Sequence, residues 1–257
     1  MLKTPRAEYA SERENENGVV SMLALNASLS AVADMPSSFA AGGLWPKGSV
    51  HIVARDGTIF AEGDPARCWY RVTSGSVRVF RLLRDGRRHV SEFVFPGQIF
   101  GFEAGPLHSQ GAEAIEPAAI VAYSCEAIEH SIAADSSARL AVRDLLMERI
   151  AEAQERIMLL GGLNATGRLA AFLLGMAQRR SRANPLGRVA DLPMSRVDIA
   201  DYLGLTVETV SRLFTALRGR GAIRLAGPNR VEILDPAALE TASAGAVEAE
   251  VALPRCA

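Results

Sequence analysis

The stretch that decides the fold runs over residues 192–233 and reads LPMSRVDIADYLGLTVETVSRLFTALRGRGAIRLAGPNRVEI. Ser195, followed three residues later by Asp198, predicts a helix start, because each of the two side chains can bond to the other's backbone N–H. Gly204 can adopt the left-handed conformation that ends this first helix, and Thr206 can cap a second one. Two short helices joined by a tight glycine turn form a helix-turn-helix.

The second predicted helix has an apolar inner face and a polar outer face that is suited to DNA. In a major groove an arginine can pair with guanine O6 and N7, a carboxylate can accept from cytosine N4, and hydroxyls can contact thymine or phosphate. The pattern therefore predicts a recognition helix, and the alternative is a solvated amphipathic helix pair. The inner face consists of Val210, Leu213 and Leu217. The outer face, at positions i, i+3, i+4 and i+7, consists of Glu208, Ser211, Arg212 and Thr215.

A β-hairpin is predicted beyond this helix, because two short segments that alternate apolar and charged residues, 223–225 and 231–233, flank the turn sequence Gly-Pro-Asn-Arg. Next to a helix-turn-helix such a hairpin is a wing, and we expect it to rest on phosphates. Residues 206–230 hold five arginines and one glutamate, whereas the whole chain has a net charge of -1. The residues predicted to contact DNA are Ser195, Arg196, Thr206, Val207, Glu208, Thr209, Ser211, Arg212, Arg218 and Arg230.

Residues 49–124 follow a different pattern, with short alternating runs of apolar and polar residues separated by glycine-containing turns. Several short strands at such spacing predict a β-sandwich or barrel. The clearest hairpin pairs residues 76–83 with residues 88–95. Asp85-Gly86 at its tip predicts a type I′ turn, because that turn needs residues that accept positive φ.

A long helix is predicted over residues 136–162. Its apolar residues follow 4,3,4,3 spacing, which is typical of the seam of a two-stranded coiled coil. The spacing predicts a homodimer, and the alternative is a helix that lies on its own barrel. The predicted seam consists of Leu146, Ile150, Ala153, Ile157 and Leu160.

The predicted fold class is α+β, with a β-barrel followed by a long helix and a winged helix-turn-helix. A polar connection is predicted over residues 179–189, ahead of the helix-turn-helix. The predicted divisions are a flexible arm at 1–40, a sensor-like barrel domain at 41–135, a dimerisation helix at 136–162, a winged helix-turn-helix domain at 163–238 and a disordered tail at 239–257.

Composition excludes several classes of protein. The chain has 257 residues, 49% of them apolar, which is enough for two compact domains, and no apolar run long enough to span a membrane. Cys68, Cys125 and Cys256 lie far apart, which predicts a reducing compartment and argues against a structural zinc. No signal-peptide pattern occurs, so we expect a cytoplasmic protein. No catalytic motif occurs either, so we expect neither an enzyme nor a metal site.

These motifs together resemble the CRP/FNR family of transcription regulators, over roughly residues 45–235. The resemblance rests on YRVTSGSVRV at 70–79, FPGQIFG at 95–101, GFEAG at 101–105 and VETVSR at 207–212. It implies a cyclic-nucleotide-binding-like β jelly-roll barrel, a dimerisation helix and a winged helix-turn-helix. It also implies that Glu208, Ser211 and Arg212 read TTGAT half-sites in a TTGAT-N4-ATCAA palindrome.

Departures from the family pattern indicate the subclass. Gln110 and Gly111 stand where cyclic-nucleotide binders of the family have an Arg-Ser pair, so no cation is offered to a cyclic phosphate. Residues 1–67 contain no cysteine, whereas the family's iron–sulfur sensors hold their cluster with N-terminal cysteines. With cyclic-nucleotide binders and iron–sulfur sensors both disfavoured, the resemblance points to the FixK-like branch of the family, for which we expect no cofactor. The resemblance implies three partners: double-stranded DNA, a second copy of the chain and RNA polymerase. It also implies that the protein activates low-oxygen, nitrogen-fixation or denitrification genes.

Two alternatives stay open. In the first, the regulator responds to haem or another small ligand, for example nitric oxide, in the barrel, although the four histidines show no metal-ligand spacing. In the second, the barrel is a protein-binding signalling module that works without DNA. The outer face of the second helix argues against the second alternative.

Overall fold

The structure is a computed structural model of the chain and describes residues 45–179 and 188–244. The predicted arm at 1–40, most of the predicted polar connection, and residues 245–257 of the predicted tail lie outside the described residues. The N-terminal part is a β-barrel formed by two four-stranded sheets. Its strands are β1 Ser49–Val53, β2 Thr58–Phe60, β3 Cys68–Ser74, β4 Val77–Leu82, β5 Arg88–Val94, β6 Ile99–Phe100, β7 Gly111–Ala114 and β8 Ala118–Ser124.

The two sheets have the strand orders β1-β8-β3-β6 and β2-β7-β4-β5. Every strand pairing that the structure describes in them is antiparallel, as short alternating strands joined by turns favour. Apolar residues alternate into the space between the sheets, where Val72, Val77 and Phe100 are buried. The prediction of a barrel is therefore confirmed.

The hairpin between β4 and β5 forms as predicted, but its tip differs. Of the two tip residues only Gly86 has a positive φ, whereas a type I′ turn needs two such residues. The Leu83 amide donates to the Arg87 carbonyl oxygen at 2.8 Å, and the Gly86 amide donates to the Leu83 carbonyl oxygen at 2.9 Å. The prediction of a type I′ turn was wrong: the loop has three residues and ends in a left-handed glycine.

Two helices follow the barrel, α1 Cys125–Ala134 and α2 Ser136–Gly162. Ser124 caps α1, because its side chain accepts from the Ala127 amide. Asp135 ends α1 and caps α2, so a single residue sets the bend between the two helices.

The C-terminal part is a winged helix-turn-helix, which confirms the α+β fold class. Its strands form a sheet of order β10-β11-β9 beside the helices. Its elements are α3 Ala165–Gln178, β9 Val189–Asp191, α4 Arg196–Leu203, α5 Val207–Gly219, β10 Ile223–Gly227, β11 Arg230–Ile233 and α6 Pro236–Ala244.

Two elements correct the sequence predictions. β9 lies at the end of the predicted polar connection and pairs with β11, with Ala190 opposite Val231. Helix α6 covers residues 239–244 of the predicted disordered tail, and its Leu239 is completely buried. Packing on α3 explains this helix, because a Cβ added at Gly167 would lie only 2.8 Å from the Ala242 carbonyl oxygen. The absence of a side chain at Gly167 therefore allows α6 to dock.

One hydrophobic core continues from the barrel into the C-terminal part. Val90 and Phe93 of β5 belong to the same buried cluster as Phe172 of α3, and Tyr202 of α4 packs against that cluster. The Phe93 ring centre lies 5.0 Å from that of Tyr202. The helix-turn-helix is thus packed against the barrel. No helix in the described part of the chain is long and apolar enough to cross a membrane.

Candidate nucleic-acid interface

The first helix of the pair, α4, begins with the predicted capping box. The Ser195 hydroxyl accepts from the Asp198 amide at 3.1 Å, and Asp198 Oδ2 accepts from the Ser195 amide at 3.0 Å. The Ser195 hydroxyl also donates to the same carboxylate oxygen at 2.7 Å. Ser195 was predicted to contact DNA, but its side-chain hydrogen bonds serve the cap of its own helix.

The turn between α4 and α5 also follows the predicted chemistry. Gly204 has φ of 64°, which is the left-handed region where glycine is favoured. The Leu205 amide then returns to the Ala200 carbonyl oxygen at 3.0 Å, which closes the corner. The Thr206 hydroxyl accepts from the Thr209 amide at 3.2 Å and caps α5. The predicted cap residues and glycine turn are confirmed.

Helix α5 has one buried face and one exposed face. Val210, Phe214 and Leu217 are buried, whereas Leu213 is only half-buried. Phe214 was not part of the predicted inner face, although its spacing from Val210 and Leu217 places it there. The exposed face includes all four residues predicted to read bases, which are Glu208, Ser211, Arg212 and Thr215.

Arg212 is the cation at the centre of that exposed face. Arg212 is exposed, and its guanidinium forms no ion pair with any residue that the structure describes. The Thr215 hydroxyl donates to the Ser211 carbonyl oxygen at 3.1 Å, so it is partly used within the helix. Glu208 lies exposed in the first turn, while Val207 and Thr209 are half-buried beside it. Arg212 and Glu208 are therefore the two charged side chains among the four exposed residues of this face.

Arg196 differs from the other arginines that the sequence assigned to DNA. Its guanidinium carbon lies 3.2 Å from the centre of the Phe214 ring, and the side chain is half-buried. Burial lowers the pKa of Arg196, since no described carboxylate compensates the loss of solvation. Its Nη1 atom is buried without a hydrogen-bond partner. Arg196 thus packs between the two helices and does not extend from the exposed face.

The wing carries its charges on the solvent side. Arg224 of β10 forms an ion pair with Glu232 of β11, across the hairpin. Arg230 is exposed, and its Nε atom lies 3.5 Å from Asp191 Oδ1. Arg218, at the end of α5, is also exposed. Arg218 and Arg230 are thus both open to solvent, one at the end of α5 and one on the wing.

Most of the predicted coiled-coil seam is exposed to solvent on α2. Leu146, Ile150 and Ile157 expose 40%, 52% and 70% of their surfaces. Ala153 is also exposed, whereas Leu160 is half-buried. The exposed apolar face is wider than predicted, since it also includes Leu140, Met147 and Met158.

The barrel interior near Gln110 and Gly111 is filled by aromatic rings. His108 has no exposed side-chain surface and stacks on Phe60, with ring centres 3.7 Å apart. Burial lowers the pKa of His108, although Glu103 lies 3.7 Å from its Nδ1 atom and opposes the shift. A Cβ added at Gly111 would lie 3.2 Å from the Phe80 ring. No metal-binding cluster occurs among the residues that the structure covers.

Comparisons with known proteins agree with this arrangement. Residues 50–135 match the cyclic nucleotide-binding domain, and residues 167–242 match the Crp-like helix-turn-helix domain. The chain is 42% identical to the nitrogen fixation regulation protein FixK of Rhizobium meliloti (strain 1021), over 71% of this chain and 82% of that protein.

Two solved structures show the same fold. FixK2 from Bradyrhizobium japonicum superposes with a TM-score of 0.71 at 33% identity, covering 78% of this chain and 99% of that one. TTHB099, a transcriptional regulator of the CRP family from Thermus thermophilus, superposes with a TM-score of 0.64 at 33% identity, covering 77% and 99%.

Proposed function

This chain belongs to the CRP/FNR family of DNA-binding transcription regulators and is FixK-like, and from that premise we propose that it acts as a homodimer on a TTGAT-N4-ATCAA palindrome. The observation that carries this proposal is the exposed face of α5. Glu208, Ser211 and Arg212 are all exposed on that face, and the Arg212 guanidinium forms no ion pair with a described residue.

The chemistry of this face fits the bases of a TTGAT half-site. A guanidinium pairs with guanine O6 and N7 through two parallel hydrogen bonds. In this proposal Arg212 pairs with the guanine of TTGAT, and Glu208 accepts from the amino group of the cytosine on the opposite strand. Arg218 and Arg230, at the end of the helix and on the wing, supply contacts to phosphates, which position the domain without reading sequence.

A second copy of the chain supplies the second half-site. Isolated exposed apolar residues are common on protein surfaces, but a continuous apolar stripe along a helix is typical of an interface. Leu146, Ile150 and Ile157 form such a stripe. Two α2 helices packed along it place one recognition helix on each side of a two-fold axis, and the recognition helices must then enter major grooves about 34–36 Å apart.

The biological setting follows from the similarity to FixK. The relative from Rhizobium meliloti is named for nitrogen fixation regulation. We therefore assign this chain to low-oxygen, nitrogen-fixation or denitrification genes, which it activates together with RNA polymerase in the cytoplasm. Gln110 and Gly111 offer no cation to a cyclic phosphate, so we propose that the regulator does not respond to a cyclic nucleotide.

Fluorescence anisotropy with the purified chain tests the proposal. The probes are a TTGAT-N4-ATCAA duplex, a duplex with both half-sites scrambled, and a duplex with one half-site intact. We expect the palindrome to bind at least about a thousandfold more tightly than the scrambled duplex at one fixed salt concentration. Equal affinity for the palindrome and the scrambled duplex would contradict sequence reading. Equal affinity for the palindrome and the single half-site would contradict action as a dimer.

A further inference from the structure

Asp198 binds the barrel with the same carboxylate that caps the first helix of the pair. Its Oδ2 atom belongs to the capping box, whereas its Oδ1 atom accepts from Arg88 Nη2 at 2.6 Å and lies 3.6 Å from Arg78 Nη1. The residue is only 3% exposed. Arg88 and Arg78 are both on the β4–β5 hairpin, so the carboxylate joins the two domains at the start of α4.

The barrel holds its side of this contact in a fixed position. Arg78 donates to Glu113 on β7 at 2.6 Å and to Asp56 at 3.0 Å, and it is almost fully buried. Arg88 uses a second donor, Nε, to bond Asp201 Oδ2 at 3.1 Å. Arg88 therefore spans two carboxylates one helical turn apart on α4, and this geometry fixes both the position and the rotation of the helix.

The covalent connection between α2 and the C-terminal part does little to fix the orientation of α4. Gly161 and Gly162 end α2 and are exposed, and a Cβ added at either one would meet nothing within 4 Å. Glycines at a helix end allow the following segment a wide range of orientations. The orientation of α4 and α5 relative to α2 therefore depends on non-covalent contacts. These are the bonds of Arg88 to Asp198 and Asp201, and the bond from Arg156 on α2 to the Tyr202 carbonyl oxygen.

We propose that Arg88, through Asp198 and Asp201, makes the regulator selective for the spacing between its two half-sites. This inference rests on the proposed function, since it requires a dimer on a palindrome. When both domains are held rigidly, the second recognition helix meets its half-site at high effective concentration only if the spacer has one length. Each added base pair moves the second half-site by about 3.4 Å and rotates it by about a tenth of a turn.

Duplexes that differ only in spacer length test the proposal. The full chain is titrated by anisotropy against TTGAT and ATCAA separated by four, five or six base pairs, and against a single half-site. We expect the wild-type protein to bind the four-base-pair spacer at least about tenfold more tightly than the five-base-pair spacer. In Arg88→Gln this ratio should fall to about twofold or less, while the affinity for the single half-site stays within about twofold of wild type.

Two further variants separate positioning from folding. Asp201→Asn removes one arm of the contact and leaves the capping box intact, so it should reduce the spacer ratio in the same direction. Arg88→Lys keeps the charge and should restore part of the ratio. The matched control is Arg87→Gln on the neighbouring residue. The Arg87 side chain is 78% exposed, and among the described residues it bonds only to Asp85. Arg87→Gln should retain the wild-type ratio.

Three results would overturn the proposal: an unchanged spacer ratio in Arg88→Gln, a loss of single half-site affinity as large as the loss on the palindrome, or a wild-type protein that binds all spacers equally. The last result would still leave sequence reading in place, because sequence reading is judged from the scrambled duplex. Failure of the proposed function and failure of this inference are thus distinguishable.

Discussion

The guanidinium of Arg156 lies 3.8 Å from the centre of the Tyr202 ring, and its Nη2 atom donates to the Tyr202 carbonyl oxygen at 2.8 Å. The same Nη2 atom donates to the Val90 carbonyl oxygen at 2.8 Å. Arg156 belongs to α2, Val90 to β5 and Tyr202 to α4. A single side chain thus connects three parts of the molecule: helix α2, which carries the predicted dimer seam, the barrel, and the helix-turn-helix domain.

Arg156→Ala should therefore destabilise the protein. Two carbonyl oxygens lose their donor and the Tyr202 ring loses its cation, so the free energy of unfolding should fall by about 2–3 kcal/mol. Urea denaturation followed by circular dichroism measures the change. Arg143→Ala on the same helix is the control, because Arg143 is exposed and pairs only with its neighbour Asp144 among the described residues. The control should change stability by less than about 0.5 kcal/mol, and equal effects of the two substitutions would show that Arg156 has no special role.

Ile157→Glu should prevent dimerisation. Ile157 is 70% exposed in the single chain, so a glutamate there should not disturb the monomer, but it would place a charge in the interface of two α2 helices. Sedimentation velocity should show a monomer for this variant and a dimer for the wild type. Ala237→Glu adds the same charge at an exposed position of α6 and should remain dimeric. An intact dimer of Ile157→Glu would mean that the seam lies elsewhere.

Gly204→Ala should weaken the helix-turn-helix because of backbone conformation, not because of space. An added Cβ would meet only the end of the flexible Arg168 side chain, at 3.8 Å, but the φ of 64° is unfavourable for alanine. We expect a loss of about 1–2 kcal/mol in the free energy of unfolding. Gly219→Ala is the control, since Gly219 lies in the last turn of α5 with no atom near the added Cβ. The control should be neutral or stabilising, and a similar loss in both variants would contradict the explanation.

His108 should make stability depend on pH. Burial lowers the pKa of His108 in the folded state, so the unfolded chain takes up a proton first as the pH falls. The free energy of unfolding therefore decreases as the pH falls through about 6.5, the pKa of a histidine in an unfolded chain. It stops decreasing once the pH is below the pKa of His108 in the folded protein. His108→Phe keeps a ring against Phe60 and should reduce the difference between urea midpoints at pH 7.5 and pH 5.5. His130→Gln, on an exposed residue of α1, should leave that difference as in wild type.

The local parts of the fold followed from the sequence. The Ser195–Asp198 capping box, the left-handed Gly204 and the Thr206 cap depend on residues a few positions apart, so their chemistry can be read from the chain. The barrel strands were also predicted, because their alternation is a local pattern. At the Asp85-Gly86 tip the prediction failed, since two residues that accept positive φ do not determine how many residues the loop contains.

The parts that depend on distant contacts did not follow from the sequence. Strand β9 has three residues and exists because it pairs with β11, and helix α6 forms where Gly167 of α3 leaves room for it. Arg196 was assigned to DNA by its position in the helix-turn-helix, but Phe214, eighteen positions later, provides the ring on which it packs. The contact between Arg88 and Asp198 joins residues 110 positions apart, and no local pattern reveals it.

Arg212→Ala provides the most direct test of the central claim that the exposed face of α5 reads base sequence. Binding is measured at two salt concentrations, on the TTGAT-N4-ATCAA duplex and on duplexes with each half-site guanine replaced. We expect Arg212→Ala to lose about 1–3 kcal/mol of binding free energy per half-site on the palindrome, with the preference for guanine lost at that base pair and the other preferences retained. Arg218→Ala is the comparison: it should weaken every duplex alike and reduce the salt slope by about one unit per phosphate contact. The central claim is contradicted if Arg212→Ala weakens all duplexes equally, because Arg212 would then contact the DNA backbone and a different face of α5 would read the bases.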